Sequence, residues 1–243
     1  MGSGVTRPAT PLVIAHRGAS GELPENTLPA YRLALEQGSD MIEIDLHTTR
    51  DGAIVITHDE DLEGLGGRGE VADATLEEIR RLDAGGGAAV PTLDEVLDAF
   101  GGRIPFNLEL KRGSQSEYRG MEAAAVEEVV RRGLLEQTLF SSFFDPVLEA
   151  LREVSPEARV ALLVSPRFPH GAVERAQRVG AEALNPERSV VNRELVESAH
   201  GVGLAVYVFT ADDPEDMRRL LDLGVDGLFT NHPRRMRALL ASR

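Results

Sequence analysis

LAVYVFTADDPEDMRRLLDLGVDGLFT, residues 204–230, holds one complete structural repeat. Leu204–Thr210 is a short run rich in apolar and aromatic residues, and Gly227–Thr230 is a second. Between them Asp213-Pro214 supplies a capping acid and a proline suited to a first helical turn. The apolar residues of Pro214–Leu223 then recur at three- and four-residue spacing until Gly224 ends the pattern. Strand, helix and strand in so short a span describe a parallel βα unit.

The same alternation runs outward through the chain. Further strand candidates are Leu12–Ala15, Met41–Leu46, Ile104–Leu110, Thr138–Ser142, Arg159–Val164 and Glu182–Asn185. Helical patterns fall at Thr27–Gln37, Leu93–Phe100, Tyr118–Arg132, Pro146–Val154, Gly171–Val179 and Arg193–Ala199; Asn26 or Thr27 can cap the first, and Gly38 follows it. Eight such units in 243 residues fit an α/β fold closed as a (β/α)8 barrel, which typically takes about 250 residues. A doubly wound sheet is the alternative, but no Gly-x-Gly-x-x-Gly follows the first strand. The expectation is one domain over residues 11–240. Asp51-Gly52 signals a hairpin, so 53–58 is read as an additional returning strand. The glycines at 64–69 and 85–87 mark a short excursion at about 59–92, with a short helix near Thr75–Leu82.

Composition narrows the function. With 26 Lys+Arg against 40 Asp+Glu the formal net charge is −14, which repels nucleic acid and anionic membrane surfaces. No cysteine is present, so disulfides, zinc ribbons, iron–sulfur clusters and thiol nucleophiles are excluded, and any metal must take oxygen or imidazole ligands. No apolar run approaches the roughly 20 residues of a membrane span, so stable membrane insertion is not expected and the location is read as cytoplasmic. Every basic residue is arginine except Lys111, which hints at a role for a compact ammonium that a guanidinium does not fit.

Several polar residues fall where barrel enzymes place their chemistry, at the C-terminal ends of strands. His16-Arg17-Gly18 ends the first strand. Period-2 alternation puts Glu43 and Asp45 on one face of the second, and Asn107, Glu109 and Lys111 together on the third. A turn centred near Arg50–Asp51 brings His58 roughly opposite Glu43, provided the register does not slip by one residue. Glu43, Asp45 and Glu109 offer hard oxygens suited to one divalent cation, Mg2+ or Ca2+. Arg17 and Lys111 add positive charge that matches a phosphate diester, and His16 with His58 can form an acid and base pair.

The other candidates receive plainer expectations. His47 is expected on the face opposite Glu43 and Asp45, and His170, His200 and His232 in solvent. Asp59 either orients His58 or is a turn acid. Glu25 and Asn26 are expected to fix the first loop, Phe143 and Phe144 to be core and rim aromatics, and Tyr118 to pack on the surface.

His16-Arg17-Gly18, Pro24-Glu25-Asn26-Thr27, Glu43-x-Asp45, His58-Asp59, Glu109-x-Lys111, Ser141-Ser142-Phe143 and Gly224-Val225-Asp226-Gly227, in this order, resemble the glycerophosphodiester phosphodiesterase family. The resemblance spans about residues 12–235. It implies an irregular (β/α)8 TIM barrel of the phospholipase C-like phosphodiesterase type. It further implies a metal held by Glu43, Asp45 and Glu109, catalysis by His16 and His58, and phosphate contacts from Arg17 and Lys111. The implied reaction cleaves a small glycerophosphodiester to an alcohol and glycerol 3-phosphate. Where the family usually carries tryptophan before threonine, this chain has Phe209-Thr210, so Phe209 is the expected substrate wall, without an indole N–H. After His58-Asp59 the family's Arg- and Thr-rich stretch is replaced by Glu60-Asp61-Leu62-Glu63, so the head group is not inherited from the family, nor is an oligomeric state. Two other readings stay open: a lysophospholipase D-like lyase that stops at a cyclic phosphate, and a non-catalytic phosphodiester-binding barrel.

Overall fold

The structure is a computed structural model that describes residues 8–113, 118 and 120–243. In chain order it runs β1 (Leu12–Ala15), α1 (Leu28–Glu36), β2 (Met41–Thr48), β3 (Ile54–Ile56), α2 (Leu76–Ile79), α3 (Leu93–Phe100), β4 (Phe106–Leu110) and α4 (Met121–Arg131). It continues β5 (Thr138–Ser142), α5 (Asp145–Val154), β6 (Arg159–Val164), α6 (Ala172–Arg178), β7 (Ala183–Pro186), α7 (Arg193–Gly201), β8 (Ala205–Val208), α8 (Pro214–Asp222), β9 (Gly227–Thr230) and α9 (Pro233–Ala241). All the strands except β3 pair in parallel, and β1 bonds both β9 and β2, which closes the barrel. The expected closed eight-stranded barrel is therefore what forms.

Alternation along the strands builds two cores. Val13, Ile42, Ile44, Phe106, Leu108, Phe140, Leu162 and Val206 face outward and pack with the helices. Ile14, Met41, Leu139, Ala161, Ala183, Ala205, Tyr207 and Phe229 fill the barrel interior. Full burial of a large aliphatic or aromatic side chain contributes about 1.5–3 kcal/mol, so these layers carry most of the favourable free energy of the fold. Glycine terminates several helices: Gly38, at φ +78°, follows α1, where a residue with Cβ would be strained.

The irregular part is the second unit. β3 runs antiparallel to β2 with Leu46 opposite Ile56 and Thr48 opposite Ile54. Residues 57–92 then loop away over their own small core of Val55, Leu62, Val71, Ala74, Ile79 and Val90. Within that excursion Thr75 and Glu78 form a reciprocal capping box at α2. Element ends differ from the sequence reading by a few residues. α4 starts at Met121, not Tyr118, and α9, which the sequence reading did not assign, closes the chain. Thr27, not Asn26, caps α1, accepting from the Ala30 amide at 3.3 Å. Among the described residues no helix is long and apolar enough to cross a membrane.

Candidate active site

The parallel register of β2 and β4 sets Glu43 beside Asn107 and Asp45 beside Glu109, which stacks the carboxylates at the C-terminal rim. Oxygens of Glu43, Asp45 and Glu109 lie within 4.8 Å of one another, and all three residues are buried. Two cations face them. Lys111 Nζ is 2.8 Å from Asp45 Oδ1 and 2.6 Å from Glu109 Oε1, and Arg17 Nε is 3.1 Å from Asp45 Oδ2. Arg17, held at φ 56°, also donates its backbone N–H to Glu43 Oε2 at 2.9 Å, while Asn26 Nδ2 donates to Asp45 Oδ2 at 2.8 Å.

Three buried carboxylates against two cations leave an excess negative charge, which a protein interior tolerates poorly. The imbalance appears in the acidities. Burial, then the charges of Asp45 and Glu109, push the Glu43 carboxyl well above its ordinary range, and burial raises Glu109 despite Lys111. Burial also opposes charge on Asp45, but Lys111 and Arg17 together hold its carboxyl low. Glu43 Oε1 is buried with no hydrogen-bond partner among the described residues. Oxygen-only donors, an unpartnered carboxylate oxygen and uncompensated charge fit a hard divalent cation at this trio.

His16, at the end of β1, is held from the opposite side. Asp212 accepts from the Asn231 backbone N–H and from Asn231 Nδ2, both at 2.7 Å, so the amide oxygen of Asn231 points away from it. That oxygen meets Ser20 Oγ and His16 Nδ1, each at 2.8 Å. An amide oxygen only accepts, so Nδ1 carries the hydrogen and Nε2 keeps its lone pair. Burial, then the Arg17 charge, lowers the His16 pKa from 6.5 to about 4, so the ring is neutral at physiological pH.

His58 reaches the site by a different register than expected. The observed pairing, extrapolated, would set His58 against Ile44, but the ladder ends at Leu46–Ile56 and the chain leaves the sheet before His58. Its ring lines the site regardless, with Nδ1 2.8 Å from Asp59 Oδ1. Asp59 thus orients His58.

A cleft of about 400 Å³ joins these groups. His16, Arg17, Glu43, His58, Glu109, Lys111 and Phe209 line it, and Asp45 lies just behind, fully buried. Phe143, Leu163, Phe209 and Phe229 form its apolar side, with Phe209 edge-on to both Phe143 and Phe229. Residues 16–235, which carry every one of these groups, match the profile of a single family. The chain belongs to the glycerophosphoryl diester phosphodiesterase family. Over 234 residues it is 37% identical to a glycerophosphodiester phosphodiesterase of Caldanaerobacter subterraneus, covering 91% of this chain and 94% of the relative. A glycerophosphodiester phosphodiesterase of Bacillus subtilis is 34% identical, covering 91% and 84%. An Oleispira antarctica phosphodiesterase, solved in complex with the product sn-glycerol-3-phosphate, superposes with a TM-score of 0.84 at 32% identity, covering 96% of this chain and 97% of that one.

Within this phosphodiesterase, four sequence expectations need correction. His47 was expected on the far face; it lies two residues beyond Asp45 and therefore shares its face, buried, with Nδ1 2.7 Å from Tyr118 Oη. Tyr118 is correspondingly buried, not packed on the surface. His200 is half-buried against Asp226 at 2.8 Å, and His232, also expected in solvent, is half-buried as well. Asn26 shapes the loop, as expected, and in addition bonds Asp45. His170 is exposed, as expected. Asn231 and Ser20 were missed: Asn231 follows the last barrel strand, the same position that singled out His16 after the first.

Proposed function

We propose that the phosphodiesterase hydrolyses a small glycerophosphodiester to an alcohol and glycerol 3-phosphate, with His16 as base, His58 as acid and one divalent cation, Mg2+ or Ca2+, on Glu43, Asp45 and Glu109. The observation that carries this reading is the convergence of three buried carboxylates and two differently partnered imidazoles on one cleft. Residues 11–240 are the proposed unit of function, in the cytoplasm, where a cysteine-free and strongly acidic chain is at home.

Arg17 and Lys111 pair with the phosphodiester's negative charge, while Phe209 and Phe143 cover the apolar edge of the glycerol backbone. His16 Nε2, unprotonated, takes the proton of the attacking oxygen as that oxygen bonds to phosphorus. His58, whose Nδ1 meets the Asp59 carboxylate, gives a proton to the departing alcohol oxygen as the other P–O bond breaks. A divalent cation held by Glu43, Asp45 and Glu109 would supply Lewis-acid stabilisation of the charge on the phosphoryl group. That the Oleispira relative holds sn-glycerol-3-phosphate as its product supports the product assigned here.

EDTA should abolish turnover of glycerophosphoethanolamine and Mg2+ or Ca2+ should restore it. Phosphorus NMR of the products should then show glycerol 3-phosphate. Full activity in EDTA rejects the metal assignment, and a persistent cyclic phosphate replaces hydrolysis with the lyase reaction.

A further inference from the structure

We propose that His47 is a positioning residue: its ring, fixed as the Nε2–H tautomer by Tyr118, clamps the main chain at His58 and so places the catalytic imidazole. The inference rests on the assignment of His58 above. Three observations carry it. The sheet ladder that should hold this segment ends at Leu46–Ile56, so His58 enters the cleft beyond the last strand pair. His47 Nε2 stands 3.2 Å from the His58 carbonyl oxygen, a side-chain contact to the main chain just past the end of the ladder. His47 Nδ1 stands 2.7 Å from Tyr118 Oη, with the two rings edge-on at 5.6 Å.

The hydrogens follow from the partners. A carbonyl oxygen only accepts, so Nε2 carries the hydrogen. Among the described residues no carboxylate is hydrogen-bonded to either nitrogen of this ring, and at 1% exposure a second proton would be a charge that burial opposes. Nδ1 is therefore the acceptor, and the Tyr118 O–H is its donor. The chain Tyr118 O–H to Nδ1, then Nε2–H to the His58 carbonyl, permits only this tautomer. Asp59 sets the rotation of the His58 ring, and His47 sets where the ring's backbone stands. Two separate restraints explain how a residue outside the sheet can hold a geometry in which displacement by about 1 Å costs on the order of 100-fold in rate.

The full chain labelled with nitrogen-15 in its histidines is the first test. Long-range proton–nitrogen spectra, compared with those of His47→Gln for assignment, should show His47 as a neutral ring protonated at Nε2, and Tyr118→Phe should shift its Nδ1 signal. This measurement needs no turnover, so it judges the clamp even if His58 proves not to be the acid. The second test is rescue. Gln can place its amide N–H where Nε2–H stands, whereas Ala cannot. His47→Ala should lower kcat for glycerophosphoethanolamine by roughly 10- to 100-fold with KM within about 3-fold of the parent. His47→Gln should recover most of that loss. Protonation at Nδ1, or equal losses in the Ala and Gln variants of folded protein, overturns the proposal.

Discussion

The barrel interior changes character two residues along the same strands. Ile14, Met41, Leu139 and Tyr207 belong to a buried, largely apolar layer, while the next inward positions toward the C-terminal rim are His16, Glu43, Ser141 and Phe209. Strand, face and neighbours are shared, and only the distance from the rim differs. The lower layer stabilises the fold through contacts that any well-packed apolar set can provide. The upper layer gathers like charges whose repulsion the fold must tolerate, and it gains from them only when a cation or an anionic substrate arrives. The two layers should therefore respond to substitution in opposite ways.

Glu109→Gln is the largest expected effect. The change keeps shape and removes one charge, so it should cost several kcal/mol of transition-state stabilisation, or about 10³-fold in kcat/KM. Calorimetric titration should show Mg2+ or Ca2+ affinity lost with it. In metal-free protein the same variant should have a raised Tm, because burial already disfavours the Glu109 charge in the folded state. Unchanged metal affinity would show that Glu109 is not a ligand. A lowered metal-free Tm would show that the upper layer is not under electrostatic stress.

Leu139→Ala probes the lower layer. Truncating this fully buried leucine should cost about 2–5 kcal/mol of unfolding free energy, read by denaturant titration. Turnover per folded molecule should stay within about 2-fold of the parent, since Leu139 lies one inward position below Ser141 and does not line the cleft. A large loss of kcat in folded Leu139→Ala would mean that the two layers are mechanically coupled, and the contrast drawn between them would fail.

What the sequence revealed divides along the same line. Alternation with period 2 identified Glu43, Asp45 and Glu109 as neighbours because parallel strands in register convert spacing directly into geometry. Strand-end position was enough to single out His16 and Arg17. The same parity argument, carried one step further along β2, puts His47 on the face of Asp45, so the expectation of the opposite face miscounted the alternation. What the sequence could not show was the contact set made by loops. The bond from Asn26 to Asp45 depends on a left-handed residue at φ 57°, and that from Asn231 to His16 joins residues 215 apart in sequence. His58 lies between these cases: its ring enters the cleft although the hairpin register that suggested it is shifted by one, because the chain has left the sheet by that point.

The smallest effect separates stress from packing within the upper layer itself. Burial lowers the His47 pKa from 6.5 in an exposed ring to about 4. Between those values the unfolded chain binds a proton that the folded chain refuses, so this residue's contribution to stability falls as pH drops through the window from 6.5 to 4. Glu43 and Glu109, whose acidities are shifted the other way, gain stability on acidification, but they do so in parent and variant alike. The difference between parent and His47→Gln therefore isolates the histidine. Relative to the parent, the variant's Tm should rise on the order of 5 °C between pH 7 and pH 5. A pH-independent difference would mean that the folded ring takes up its proton at the same pH as an exposed one, and the burial that disfavours a charged His47 would have to be given up.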